Sequence, residues 1–292
     1  MRLQQGQSTC YGAFPRVASS HYLALAQHRP LTTEPFYGSP RPPKQPLSID
    51  NPLDRWQLLL QNATTALRDP TRADAVAAVG ELTGTTALKH LQGVLREHPK
   101  GRRILAERPL VQKSNIPYER SMQQAQSAKE QNIDKDAAAL TFGQAYGLFL
   151  LQHGFDPDER DEIRFMPKAS ADDDELAYLL LRYRQSHDFF HALTGLPPTV
   201  LGELALKWLE LVQTGLPMAA FAATFGSVVT LSATEQRLLT QHYLPWAVRV
   251  GRQMPFGSLL TVYYEEEWDT PLEELRARLK IEPAPLSEEL EN

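Results

Sequence analysis

The chain is nearly devoid of cysteine. Cys10 is the single thiol in 292 residues, which excludes an intrachain disulfide framework and a thiolate metal site. That usage fits a cytosolic, nuclear or matrix compartment. A basic excess is missing too. With 30 Lys and Arg against 35 Asp and Glu, the net charge is −5, and nucleic acid is excluded as a partner because it demands a basic face. No alternating strand series and no internal repeat is present. Leu211 to Thr234 carries no charge at all. It is long enough to cross a bilayer, but Gln213, Gly215, Pro217, Thr224, Gly226 and Ser227 interrupt the apolar run and exclude a transmembrane helix. It reads as a buried core helix plus turn, or as a greasy helix that docks on a bilayer or holds a prenyl tail. Ala137 to Phe155 lacks Asp, Glu, Lys and Arg and has the same two readings.

Acids are scarce in one region. Residues 1–48 contain only Glu34, beside Arg2, Arg16, Arg29, Arg41, Lys44 and frequent Ser and Thr. That makeup matches a mitochondrial transit peptide, with a flexible tail as the alternative. A Pro-rich stretch, Pro40 to Pro46, separates it from a folded body over 49–282, and a loose tail is expected over 283–292.

What is present is helical periodicity. Leu53–Leu67 is a first helix. Asp69-Pro70 caps a second, running to Gly80 or Gly84. Thr85–Arg96 and Gly101–Glu107 follow. Residues 110–136 are polar and read as loop-rich, and Ala137–Phe155 as helix. The fold class expected is all-α, a single multi-helix domain. The Glu265-Glu266-Glu267 run reads as a solvated face, and Thr270-Pro271-Leu272-Glu273 as a capping box opening a last helix.

One helix carries the chemistry. Ser170 or Asp172 caps it, and Asp172 to Glu175 suit its N-terminal dipole. Leu176, Leu179, Leu180, Tyr183, His187 and Phe190 follow the i, i+3, i+4, i+7 pattern, so His187 points inward. Gly195 ends the helix, Pro197-Pro198 forces a turn, and a second helix begins near Thr199. The string is His187-Asp188-x-x-His191, then eleven residues, then Glu203. Positions i, i+1 and i+4 share one broad helix face, and a hairpin brings Glu203 back over His191. Two imidazoles and two carboxylates suit zinc, and also iron or manganese. The plainer reading is a helix with two core histidines and surface ion pairs, Arg184 with Asp188 and Glu203 with Lys207. Burial favours the metal, because clustered inward imidazoles and acids need a shared cation.

These residues, with several flanking blocks, resemble the fourth coenzyme Q biosynthesis protein family of mitochondria. The blocks are Gly80-Glu81-Leu82-Thr83-Gly84, Glu107-Arg108-Pro109, Asp174 to Tyr178, Arg182-Tyr183-Arg184, Val212 to Met218, Leu244 to Val248, and Tyr263-Tyr264-Glu265. The resemblance covers roughly residues 50–281. It implies a helical fold, a matrix location peripheral to the inner membrane, and a zinc-type site at His187, Asp188, His191 and Glu203. It also implies a role in ubiquinone synthesis, with removal of the ring carboxyl from a polyprenylated 4-hydroxybenzoate, hydroxylation at that carbon, and organisation of the biosynthetic complex. The partners to expect are other enzymes of the pathway, the polyprenylated aromatic substrate, the lipid surface and a second copy of the chain.

Two rivals differ in class. A metallohydrolase shares part of the string, although H-E-x-x-H proteases have Glu where this chain has the shorter Asp188. A non-catalytic scaffold would hold its metal in a closed, structural shell.

Overall fold

The computed structural model describes residues 51–68, 72–133, 137–159, 163, 170–217, 219 and 231–285. The expectations for residues 1–48, for the Asp69-Pro70 cap and for half of the Leu211–Thr234 stretch lie outside the described residues. The described residues belong to one compact unit, Gln45–Asn292. No strand occurs among them, only an isolated bridge between Thr141 and Pro271. The all-α expectation holds.

The helices are α1 (Pro52–Arg68), α2 (Ala73–Thr83), α3 (Thr85–Glu97), α4 (Pro99–Glu107), α5 (Tyr118–Glu130), α6 (Phe142–His153), α7 (Ala171–Thr194), α8 (Val200–Thr214), α9 (Ala233–Leu238), α10 (Leu244–Gln253), α11 (Ser258–Thr261) and α12 (Leu272–Leu279). A π-helical turn, Leu239–Tyr243, joins α9 to α10. The termini follow side-chain chemistry. Ser170 caps α7 by accepting from the Asp173 amide, and Thr199 caps α8 by accepting from Gly202. Gly154, Gly195 and Gly215 end α6, α7 and α8 with positive φ, where a Cβ would be strained.

Helix α7 is the axis of the fold. It touches α3, α4, α6 and α11, and its C-terminal half, including Arg182, Tyr183 and every residue from Gln185 to Thr194, is buried. Phe189 packs edge-on against Phe142 and Tyr146, at ring-centroid distances of 5.4 and 4.7 Å, and Tyr264 and Trp268 complete the cluster.

Four expectations need correction. Residues 118–130, read as loop, form α5. Its buried positions are Ser121, Ala125 and Ala128, too small to give a strong apolar period. The Glu265–Glu267 run is not a solvated face. Glu265 pairs with fully buried Arg182, and Glu267 is 4% exposed between Arg278 and Lys100. Thr270 makes no capping box, because its hydroxyl donates to Glu267 and the helix opens at Leu272. The first residues of the expected loose tail are tied down, because the Ala284 amide donates to the Thr194 carbonyl at 2.8 Å, while 286–292 lie outside the described residues.

Candidate metal centre

Helices α7 and α8, joined through Gly195 to Thr199, present the centre. His187 and His191 lie one turn apart on α7. Glu203 stands near the N-terminus of α8. The Nε2 atom of His187 is 3.0 Å from Glu203 Oε2, and that of His191 is 3.1 Å from Glu203 Oε1. One ligand atom from each of the three residues lies within 4.8 Å of the others. The His187 and His191 side chains are 11% and 1% exposed, while Glu203 is 38% exposed. Buried imidazoles therefore back a carboxylate that reaches towards solvent.

The structure gathers three of the four expected ligands. Asp188 is outside this group, although it is buried at 3% exposure. Consecutive helical residues diverge by about 100°, which sets Asp188 on a neighbouring face of α7. Of the surface pairs expected, Glu203 with Lys207 is replaced, and Arg184 reaches a further acid. Arg184 pairs with buried Glu81 at 3.2 Å, and Lys207 pairs with Glu210 at 2.7 Å.

Each histidine has a second partner behind it. His187 Nδ1 lies 2.6 Å from Glu210 Oε1, and His191 Nδ1 lies 2.9 Å from the Leu196 carbonyl oxygen. Both acceptors lack a proton to give, so each Nδ1 carries the hydrogen and each Nε2 of a neutral ring presents its lone pair. Phe149 lies nearly parallel to His191, with centroids 5.0 Å apart and planes 14° apart, and holds that ring flat.

Sequence reasoning missed Glu210. It is fully buried and bonded to His187, Lys207 and the Tyr183 hydroxyl. Burying a lone carboxylate costs several kcal/mol. Here burial opposes the charge, but Lys207 and His187 outweigh it and bring the carboxyl pKa down to about 2. For His187, burial and Lys207 oppose the proton, yet Glu210 and Glu203 hold its pKa above the ordinary value. Burial likewise opposes charge on Glu203, and His187 and His191 depress its pKa well below the carboxylate range. Burial and Glu210 push the Tyr183 phenol far up, so it stays a neutral donor.

The arrangement carries one internal conflict. Two Nε2 lone pairs face two carboxylate oxygens, acceptor against acceptor. A proton on each ring or a shared cation removes the conflict. The donor set, two imidazole nitrogens and a carboxylate, suits a divalent ion of the zinc class, which bonds such atoms at about 2.0–2.2 Å. The residues present fit that group.

A family model for the coenzyme Q (ubiquinone) biosynthesis protein Coq4 matches residues 46–285. The chain belongs to the Coq4 family. The ubiquinone biosynthesis protein COQ4 homolog, mitochondrial, of Bos taurus is 42% identical over 234 residues, which is 80% of each chain. Its Homo sapiens counterpart is 39% identical over 236 residues, 81% of each. A crystallised Nostoc punctiforme protein named for ubiquinone biosynthesis superposes with a TM-score of 0.53 at 20% identity, covering 76% of this chain and 96% of that one. This last likeness speaks for the helical fold alone.

Membership gives meaning to the scattered blocks. Five of the seven bond to one another around α7. Glu81 pairs with Arg184, Pro109 accepts from Tyr178 and Arg182, Arg182 grips Glu265, and Tyr263 donates to Glu107.

Proposed function

We propose that the chain is a metal-dependent enzyme of ubiquinone biosynthesis that removes the ring carboxyl from a polyprenylated 4-hydroxybenzoate. The observation that carries this reading is the convergence of His187 Nε2, His191 Nε2 and the Glu203 carboxylate at a solvent-reaching edge. Three protein ligands with an open side are what catalytic sites have, whereas structural shells are closed. That exposure favours the enzyme over the scaffold with a structural zinc.

His187, His191 and Glu203 hold the ion, and buried Asp188, on the next face of α7, acts beside it as a base rather than as a fourth ligand. Zinc is the ion of choice, with iron or manganese as alternatives. When bound, such an ion supplies Lewis acidity to an aromatic carboxylate seated against it. The protein supplies the rest. Glu210 and the Leu196 carbonyl fix both ring orientations, and Phe149 keeps water off one face of His191. The para hydroxyl of the substrate makes that ring carbon electron-rich, so it can take a proton from solvent as the carboxyl leaves as carbon dioxide.

The setting is the matrix side of the mitochondrial inner membrane, beside other enzymes of the pathway. No helix among the described residues is long and apolar enough to cross a membrane. Peripheral attachment is supported by α1, where Leu53, Trp56 and Leu60 lie at i, i+3 and i+7 and are 79%, 63% and 63% exposed. Exposed Trp and Leu at that spacing suit an interfacial helix.

The test is Asp188→Ala and Glu203→Ala in cells that depend on this chain for ubiquinone. Loss of ubiquinone, with accumulation of the carboxylated intermediate and unchanged helicity of the purified variants, is expected. Wild-type ubiquinone in both variants refutes the reading.

A further inference from the structure

The charge on Glu210 has no place in the ligand set, yet this residue is the most completely enclosed acid near it. We infer that Glu210 is the positioning residue of the metal centre, setting the tautomer of His187 through a fixed division of its two oxygens. The inference rests on the metal-centre reading above.

The division is written in the contacts. Oε1 faces His187 Nδ1 at 2.6 Å. Oε2 takes Lys207 Nζ at 2.7 Å and the Tyr183 hydroxyl. A carboxylate accepts on both sides and lies nearer to Nδ1 than the Lys207 ammonium at 3.2 Å, so His187 donates from Nδ1 and its Nε2 is left bare towards Glu203. Ligating histidines commonly carry such an acceptor behind them, and its loss costs about 10–100-fold in metal affinity.

Glu210→Gln keeps the shape and reverses the message. Lys207 is an obligate donor, so the amide oxygen must stay on its side. The amide nitrogen then faces His187 and donates to Nδ1. Lys207 Nζ is itself 3.2 Å from Nδ1 and adds a second donor there. The ring responds by moving its hydrogen to Nε2, which occupies the ligand position. Lys207→Met removes the obligate donor. The Tyr183 hydroxyl can then rotate to accept, so the amide flips and its oxygen again receives Nδ1–H.

Three proteins test this: wild type, Glu210→Gln, and Glu210→Gln with Lys207→Met. Each is stripped of metal, checked by circular dichroism and titrated with cobalt(II) and zinc. Wild type should bind one equivalent. The single variant should bind at least tenfold more weakly, and the double variant should recover most of that loss. Wild-type affinity in the single variant overturns the inference, and so does a loss that Lys207→Met fails to restore. Absence of stoichiometric metal from wild type refutes the metal centre itself, which separates the two failures. Should Glu210→Gln not fold, long-range 1H–15N spectra of zinc-loaded wild type decide alone. They should show His187 protonated at Nδ1, and protonation at Nε2 overturns the inference.

Discussion

Arg182 and Glu265 form a two-pronged ion pair across 83 residues of chain. Nη1 meets Oε1 at 2.5 Å and Nη2 meets Oε2 at 2.9 Å, with the guanidinium fully buried and the carboxylate 15% exposed. The pair pins the middle of α7 to the segment after α11. It thereby sets the depth of the helix that carries His187 and His191.

Removing one partner leaves the other charge buried. Glu265→Ala is expected to lower unfolding free energy by about 3–5 kcal/mol, the usual cost of breaking a buried pair. Urea denaturation checks this. A loss under 1 kcal/mol would mean that the pair does not organise α7.

Two glycines should respond to alanine with opposite signs. At Gly147 an added Cβ would lie 2.4 Å from the Ser121 carbonyl oxygen and 3.1 Å from Ala125 Cβ, so α5 and α6 must separate. Gly147→Ala should cost about 1–3 kcal/mol. At Gly93, inside α3, nothing lies within 4 Å of an added Cβ. Gly93→Ala should stabilise by about 1 kcal/mol through helix propensity alone. Paired thermal melts read both, and equal signs would contradict the packing described.

Glu267 gives the pH dependence. Burial opposes its charge, but Arg278, Thr270 and Lys100 outweigh it and hold its pKa below the ordinary 4.5. A depressed carboxylate stabilises the fold above its unfolded pKa, and the stabilisation disappears as pH falls through the folded value. Glu267→Gln should therefore cost about 2 kcal/mol at pH 7 and almost nothing well below pH 4. Stability measured from pH 7 to pH 3 should show the two curves converge in acid. Parallel curves would remove Glu267 from the acid response.

The site was legible in the sequence to the extent that one helix turn relates its parts. His187 and His191 are i, i+4, and the Gly195 and Pro197-Pro198 break made the hairpin readable. Asp188 belongs to the string, but its adjacency in sequence separates it from the others around the helix. Glu210 had a signal that went unused. It shares one face of α8 with Glu203 and Lys207, at i, i+4 and i+7, and an acid repeated on a helix flanked by apolar residues marks an inward role. The Glu265–Glu267 run was misread because its partners, Arg182, Lys100 and Arg278, are brought to it by tertiary contact. Helix α5 was missed for a steric reason: packing against Gly143 and Gly147 of α6 requires small residues, which carry little apolar signal.

His187, His191 and Glu203 are proposed to hold a catalytic metal ion. Elemental analysis of the purified protein, paired with an assay on a prenylated 4-hydroxybenzoate, tests this most directly. Wild type should carry one equivalent of metal and remove the ring carboxyl, and folded Glu203→Ala should do neither. Stoichiometric metal without turnover, in protein shown to bind that substrate, would contradict that reading and favour the scaffold.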